Sequence, residues 1–274
     1  HMCGAMADLD ALQKICRDHK LLLLEDACQS IGASYKGKFL GTIGDAGAFS
    51  FDFVKTVTCA EGGAVVTNRN DIYINTDGYS DHGHDHKGSD RGAELHPFLG
   101  YNFRISELHA AVGLAQFRRL GSFLEIQRRN HATIRKFLAE IPEISFRYIH
   151  DAEGDSCSFL SWFLPTENIA RAVVAEMKEQ AILAGNFYWY DNNWHYIRKW
   201  DHLKQGRSLY PLNSAQLEAI SRFGKSSFAD SDVIMSRCIS TAINLSWTAD
   251  QINEKAEKMV AAIRKVLLKQ RVAM

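Results

Sequence analysis

Residues 21–67 read LLLLEDACQSIGASYKGKFLGTIGDAGAFSFDFVKTVTCAEGGAVVT. This stretch holds three apolar runs, at residues 21–24, 47–51 and 63–67, and polar side chains follow the first two. Four consecutive leucines without alternation are typical of a strand buried on both faces of a parallel sheet, and a buried helix segment has the same pattern over four residues. We therefore predict an α/β fold in which the first run is a buried strand.

Four polar side chains stand where these apolar runs end: Asp26, Gln29, Ser50 and Lys55. In open α/β sheets, ligands bind outside the carboxyl ends of the strands. An acid there can pair with a pyridinium nitrogen, a lysine can form a Schiff base with an aldehyde, and a serine hydroxyl can hold a phosphate. Each residue alone is weak evidence, since a strand-end Asp commonly caps a loop and a Lys is commonly a surface charge. Together they predict a site for pyridoxal 5'-phosphate.

The spacing of these four residues resembles that of a known family. Gln29 lies three residues after Asp26, Ser50 lies twenty-four after Asp26, and Lys55 lies five after Ser50. In this respect the stretch resembles the DegT/StrS sugar aminotransferases, which are fold type I pyridoxal-phosphate enzymes. The resemblance implies that Asp26 pairs with the pyridinium nitrogen, Gln29 contacts the ring hydroxyl, Ser50 binds the phosphate, and Lys55 forms the Schiff base. Cys28 stands where the family usually has alanine.

The same resemblance implies a two-domain fold. Residues 1–120 are expected to be the pyridoxal-phosphate-binding large domain, with a mostly parallel mixed sheet, and residues 121–274 a smaller C-terminal α+β domain. The first twelve residues, HMCGAMADLDAL, resemble an interior segment of the family. We therefore expect the N-terminal part of the large domain to be absent from this chain.

Composition excludes several other classes of protein. The chain has 274 residues, 46% hydrophobic and 23% charged, with formal net charge zero, so no nucleic-acid partner is expected. The sequence has neither a signal peptide nor an apolar run long enough to span a bilayer, so no membrane partner is expected. The six scattered cysteines suit free thiols in a reducing compartment. We predict a cytoplasmic protein.

Residues 77–97, DGYSDHGHDHKGSDRGAELHP, are predicted to form a loop. His82, His84 and His86 alternate with acids, and such clusters can bind metal. The glycines of the segment favour an irregular path that would not place the three imidazoles on one side, so we predict no metal site. A loop lining an active site and a solvated loop remain the two alternatives.

Residues 100–106, GYNFRIS, precede a predicted helix with Ser106 as its N-cap and one apolar face at positions 108, 111, 112 and 115. Asn before a helix is usually a turn residue. The family resemblance gives Asn102 a further role, because it matches the position whose side chain reaches the cofactor phosphate of the other subunit. It implies a homodimer with shared active sites.

Residues 83–116 resemble a branch of the family whose acceptor is 8-keto-3,8-dideoxy-octulosonate, a sugar of lipopolysaccharide biosynthesis. The expected function is therefore transfer of an amino group from glutamate to a keto-sugar, with Arg91 and Arg104 as candidates for contacting an acidic acceptor.

One rival function is that of a sugar dehydratase of the same fold, which carries His in place of the lysine, so Lys55 argues against it. The other rival is a pyridoxal-phosphate-binding protein without turnover. The aromatic segment 187–200 suits core, dimer surface or part of a substrate pocket.

Overall fold

The computed structural model describes residues 1–272 of the chain. The chain divides into two compact units. Unit 1 comprises residues 1–129 and 148–158, and unit 2 comprises residues 130–147 and those from 159 onward. The predicted division into domains at residue 120 stays a prediction.

Unit 1 contains a three-stranded mixed sheet in the order β1–β4–β5. Strand β1 (Leu24–Asp26) runs parallel to β4 (Ala46–Ser50), and β5 (Gly63–Val66) runs antiparallel to β4. Asp26 lies opposite Ala48 in β4. Because β1 and β4 are parallel neighbours, their carboxyl ends meet at one edge of the sheet, which is where ligands bind in this class of fold.

The predicted burial of the leucine run is wrong for this chain. The strand begins only at Leu24, and Leu21, Leu22 and Leu24 are 57%, 56% and 69% exposed. Within the described residues, β1 has β4 on one side and no strand on the other. The first apolar run therefore does not form an interior strand of this sheet.

The other elements of unit 1 surround this sheet and a small core. They are helix α1 (Leu9–His19), the hairpin β2 (Ser34–Tyr35) and β3 (Lys38–Phe39), and helices α2 (Asn70–Ser80) and α3 (Glu107–Phe117). The core is formed by Met6, Leu9, Ala33, Tyr35 and Leu40. Helix α1 starts where the Asp8 carboxylate accepts the Ala11 amide proton at 3.1 Å, an N-cap that satisfies a backbone donor.

Helix α3 begins at its predicted cap, where Ser106 Oγ accepts the His109 amide proton at 3.2 Å. Helix α3 ends at Phe117, and helix α4 follows (Leu120–Leu138). None of the eleven residues of α3 is buried in this chain, and Leu108 is 81% exposed. The predicted apolar stripe therefore faces solvent here, whereas such a stripe usually packs against a core.

Unit 2 is built on a four-stranded antiparallel sheet in the order β6–β7–β9–β8. Its strands are β6 (Ser145–Phe146), β7 (Phe159–Phe163), β8 (Asn186–Phe187) and β9 (Cys238–Ala242). Its helices are α5 (Glu167–Glu179), α6 (Asp201–Lys204), α7 (Ser214–Gly224), α8 (Ala229–Met235) and α9 (Ala249–Val272). Strand β6 is short, because it ends at Phe146 and residues 148–158 belong to unit 1.

The core of unit 2 is centred on Trp162, which is fully buried among the apolar side chains of α5 and α9. Its indole N–H donates to Thr241 Oγ1 at 3.1 Å, and that hydroxyl donates to Asn186 Oδ1 at 2.6 Å. Buried polar groups are costly unless paired, so this chain of bonds fixes β7, β8 and β9 in register. No helix within residues 1–272 is long and apolar enough to cross a bilayer.

Candidate active site

Asp26 is the last residue of β1 and projects from the edge of the sheet where β4 also ends. Its Oδ1 accepts the Cys28 amide proton at 3.1 Å. Burial raises the pKa of this carboxyl group, but hydrogen bonds from the Cys28 amide and thiol and the charge of Lys55 outweigh burial, so the pKa falls below its ordinary value of 3.8. Asp26 is therefore an anion at neutral pH, within the electrostatic reach of Lys55.

Glu25 is the acid that sequence reasoning missed. It precedes Asp26 in the strand, so its side chain points to the opposite face, and it is only 3% exposed. Its carboxylate accepts the backbone N–H groups of Gly41 at 2.8 Å and of Ile43 and Gly44 at 2.6 Å each. A buried carboxylate surrounded by donors ties the 41–44 turn to β1. The adjacent acids Glu25-Asp26 thus divide into one that holds the turn and one that faces the sheet edge.

Ser50 and Lys55 lie at and just beyond the end of β4. Ser50 is half-buried and pairs with Gly63 in the adjacent strand, and its hydroxyl accepts the Asp52 amide proton at 3.4 Å. Residues 52–55 form a turn, closed by the Lys55 N–H donating to the Asp52 carbonyl at 3.1 Å. The Lys55 side chain is 18% exposed, with Nζ 3.7 Å from an Asp52 carboxylate oxygen. Its amine is thus held close to the sheet edge.

Gln29 follows Asp26 in the turn after β1 and is half-buried. Its side-chain Oε1 accepts the Cys3 amide proton at 2.8 Å, and its backbone carbonyl accepts from Ser158 Oγ at 3.4 Å. Cys3 has a left-handed backbone conformation with φ of 59°. The bond from Cys3 holds the Gln29 side chain against residues 1–4. Local sequence patterns do not indicate this contact.

Asn102 lies in a short extended segment that pairs with the end of α2. Residues 81 and 102 face each other in an antiparallel bridge, and Asn102 Oδ1 accepts the Arg104 amide proton at 3.3 Å. The Asn102 side chain is exposed in this chain. No contact joins it to Asp26, Ser50 or Lys55 among the hydrogen bonds of residues 1–272.

The histidine loop is more ordered than a solvated loop, and it starts later than predicted because α2 continues to Ser80. His86 Nδ1 lies 2.7 Å from an Asp77 oxygen and its Nε2 lies 3.1 Å from an Asp81 oxygen. His84 Nδ1 lies 2.8 Å from a Glu94 oxygen, and the His84 and His86 rings are parallel at 6.2 Å. The two imidazoles thus pair with different carboxylates.

The residues at the sheet edge fit the groups of pyridoxal 5'-phosphate. An ionised carboxylate suits a pyridinium nitrogen, an amine suits an aldehyde, and a hydroxyl beside turn amides suits a phosphate. Asp26 and Ser50 supply two of these groups at the ends of the parallel strands β1 and β4, and Lys55 supplies the third in the turn after β4. The chemistry of these three side chains therefore fits the cofactor that the spacing predicts.

A model of the DegT/DnrJ/EryC1/StrS aminotransferase family matches residues 1–216. GDP-perosamine synthase of Caulobacter vibrioides is 35% identical over 129 residues, which cover 47% of this chain and 34% of that protein. L-glutamine:2-deoxy-scyllo-inosose aminotransferase of Streptoalloteichus tenebrarius is 33% identical over 194 residues, which cover 65% of this chain and 45% of that protein. The chain thus spans less than half the length of these curated relatives.

Helicobacter pylori PseC, described as an aminotransferase involved in the biosynthesis of pseudoaminic acid, has a similar fold with a TM-score of 0.75 at 21% identity. The similarity covers 96% of this chain and 65% of that structure. The predicted fold class, a fold type I α/β architecture with a mixed sheet, is confirmed by this likeness. By the extent of the family match, this chain belongs to the DegT/DnrJ/EryC1/StrS aminotransferase family.

Proposed function

We propose that the protein is a pyridoxal-phosphate-dependent aminotransferase acting on a keto-sugar. The observation that carries the proposal is that Asp26 ends β1 and Ser50 ends its parallel neighbour β4, with Lys55 in the turn that follows. Family membership supports the reaction class, since curated relatives include a GDP-perosamine synthase and an L-glutamine:2-deoxy-scyllo-inosose aminotransferase.

Each residue has a defined task in this proposal. Bound pyridoxal phosphate supplies an aldehyde for the amino group and a ring that withdraws electrons from the substrate carbon. The Asp26 carboxylate would hold a proton on the ring nitrogen, and the Lys55 amine would hold the cofactor through its aldehyde and move a proton at the substrate carbon. Ser50 and Asn102 bind the phosphate, and Gln29 contacts the ring oxygen. Asp52, 3.7 Å from Lys55 Nζ, orients the amine.

For the acceptor we propose 8-keto-3,8-dideoxy-octulosonate, which would make the protein an 8-amino-3,8-dideoxy-D-manno-octulosonate transaminase. Support comes from the resemblance of residues 83–116 to that branch. An acidic sugar needs cationic contacts, and Arg104 remains 45% exposed while it pairs with Asp81. Glutamate is the proposed donor; because the name of one relative specifies L-glutamine, both donors belong in the test.

A homodimer with shared sites is the proposed assembly. Support comes from the uncovered apolar side chains beside Asn102, among them Phe103 at 66% and Leu108 at 81% exposed. Large apolar patches on a soluble protein commonly mark a contact surface. A second copy seated on this surface would bring its Asn102 to the site of its partner.

A spectrum of the purified protein with added pyridoxal phosphate, before and after each amino donor, tests the function. We expect an absorption band of the lysine-bound cofactor that shifts on addition of glutamate and is restored by the keto-sugar. Borohydride reduction followed by peptide mapping should place the label on Lys55. The matched control is Lys38→Ala, which removes an exposed lysine of the same unit. A label on another lysine, or no spectral change with either donor, contradicts the proposal.

A further inference from the structure

The two ends of the loop between residues 81 and 102 are joined by backbone hydrogen bonds. The His82 amide donates to the Tyr101 carbonyl at 2.9 Å, and the Tyr101 amide donates to the Tyr79 carbonyl at 2.8 Å. The Phe103 amide donates to the Ser80 carbonyl at 2.9 Å. The segment that carries Asn102 is therefore paired, residue by residue, with the end of α2.

The side chain of Asp81 adds a second link between the same two segments. It is 5% exposed and accepts two bonds from Arg91, at 2.9 and 2.6 Å, one from Arg104 Nη1, and one from His86 Nε2 at 3.1 Å. Hydrogen bonds from Arg91, His86 and Arg104 outweigh burial and hold the pKa of Asp81 well below its ordinary value. Asp81 is thus a buried anion satisfied by three cationic side chains, which is the condition for a buried charge to be tolerated.

Arg104 connects this anion to Asn102. Its guanidinium group contacts Asp81, while its backbone N–H donates to Asn102 Oδ1 at 3.3 Å. Because Asn102 Oδ1 accepts the bond from the Arg104 backbone N–H, Asn102 Nδ2 points away from that N–H. Arg104 thus contacts both residues: its side chain bonds to Asp81 and its backbone amide to Asn102.

We propose that Asp81 is a positioning residue for cofactor phosphate binding, acting on Asn102 through Arg104. The proposal rests on the phosphate role given to Asn102 in the proposed function. A carboxylate that merely stabilised the fold would affect every ligand of the site alike. A carboxylate that positions Asn102 affects only a ligand that carries the phosphate.

Two ligands separate these roles: pyridoxal 5'-phosphate and pyridoxal, which lacks the phosphate. The dissociation constants of both are measured by fluorescence for the wild type, Asp81→Asn and Asn102→Ala. A hydrogen bond to a charged group is worth about 1.5–3 kcal/mol, so Asn102→Ala should reduce the preference for the phosphorylated ligand about tenfold or more. Asp81→Asn should reduce the same preference in the same direction, with pyridoxal affinity little changed.

Control variants in and outside the loop show whether an effect is specific to the link between Asp81 and Asn102. Asp90→Asn makes the same charge change in the same loop, where the Asp90 side chain accepts the Gly92 amide proton at 2.9 Å, and should leave the preference unchanged. Should Asp81→Asn fail to fold, Arg104→Gln cuts the same link while Asp81 keeps Arg91 and His86. Its control is Arg118→Gln, which removes an exposed arginine outside the loop.

The outcomes distinguish the positioning role of Asp81 from the phosphate role of Asn102. An unchanged preference in Asp81→Asn and Arg104→Gln, with a reduced preference in Asn102→Ala, overturns the positioning role alone. Equal weakening of both ligands in Asp81→Asn also overturns it, in favour of a general structural role. An unchanged preference in Asn102→Ala overturns the phosphate role of Asn102, and the positioning proposal with it.

Discussion

Asp26 and Cys28 interact through both the backbone and the side chain of the cysteine at the end of β1. The Cys28 amide donates to Asp26 Oδ1 at 3.1 Å, and the Cys28 thiol lies 3.7 Å from the Ala48 carbonyl oxygen. The position where the family usually has alanine is thus filled by a thiol that lies against the β4 backbone at Ala48. The same residue's backbone amide donates to the carboxylate that we propose to face the ring nitrogen.

This contact predicts an unreactive Cys28. Burial, the hydrogen bond to Asp26 and the charge of Asp26 raise the pKa of the thiol to about 11. Alkylation by iodoacetamide requires the thiolate, so it should be slow at pH 8 and accelerate as the pH approaches 11. Asp26→Asn removes the negative charge and should lower the pKa and speed the reaction. Peptide mass spectrometry follows Cys28 individually, and an identical pH profile in the two proteins would refute the coupling.

The second prediction concerns turnover. Asp26→Asn should retain the fold but lose the charge that keeps the ring nitrogen protonated. A preorganised electrostatic contact of this kind is worth about 10²–10³-fold in kcat, so we expect a loss of that order. Steady-state kinetics with saturating cofactor measure it, and Asp71→Asn, which removes an exposed carboxylate of the same unit, is the control. Near-wild-type kcat with cofactor bound would exclude this role for Asp26.

The third prediction concerns Gly47, which lies in β4 opposite Glu25. A Cβ atom at this position would come within 2.0 Å of the Gly41 carbonyl oxygen, so the backbones must separate. Gly47→Ala should lower the free energy of unfolding by about 2–4 kcal/mol. Gly121→Ala, in helix α4 with no atom within 4 Å, should raise it by up to about 1 kcal/mol. Urea-unfolding curves compare the two, and similar midpoints would contradict the close approach.

The sequence predicts this edge of the sheet well because its determinants are local. The ends of β4 and β5 follow from short apolar runs, and Ser106 caps α3 as its position before an apolar-periodic segment indicates. The exposure of Leu21, Leu22 and Leu24 does not follow, because burial depends on what packs against the strand. The four leucines themselves do not show whether another element packs against them.

The Asp81 cluster was unpredictable for a different reason. Its partners Arg91 and Arg104 lie ten and twenty-three residues away. Three other acids, Asp85, Asp90 and Glu94, lie between Asp81 and Arg104, and the sequence does not distinguish them from Asp81. Only the folded path of the loop decides which carboxylate is buried. The same holds for Gln29, whose amide is fixed by a backbone group twenty-six residues earlier.

The fourth prediction is a pH dependence of stability that arises from His86. Hydrogen bonds to Asp77 and Asp81 raise the pKa of this imidazole above its ordinary value of 6.5. A raised pKa in the folded state means that the stabilisation is complete below about pH 6.5 and is lost as the pH rises through the higher value. The difference in Tm between wild type and His86→Gln should therefore shrink from pH 6 to pH 9. Asp77→Asn removes the main cause and should flatten the dependence, whereas a constant difference would disprove the linkage.

The last prediction tests the shared site by complementation. Lys55→Ala subunits are mixed with Asn102→Ala subunits under conditions in which subunits exchange. If each Asn102 serves the partner's site, a mixed dimer holds one site with both defects and one with neither. Random mixing makes half of the dimers mixed, with one intact site in two, so about a quarter of wild-type activity should return.

The control mixture replaces the second chain by one that carries both substitutions. No arrangement of Lys55→Ala with this double variant contains an intact site, so its activity should stay at the level of the single variants. If Asn102 instead serves its own subunit, every site in the first mixture keeps one defect and activity stays equally low. Failure to recover activity, in mixtures shown to exchange and with each single variant inactive, means that Asn102 does not act across a subunit boundary.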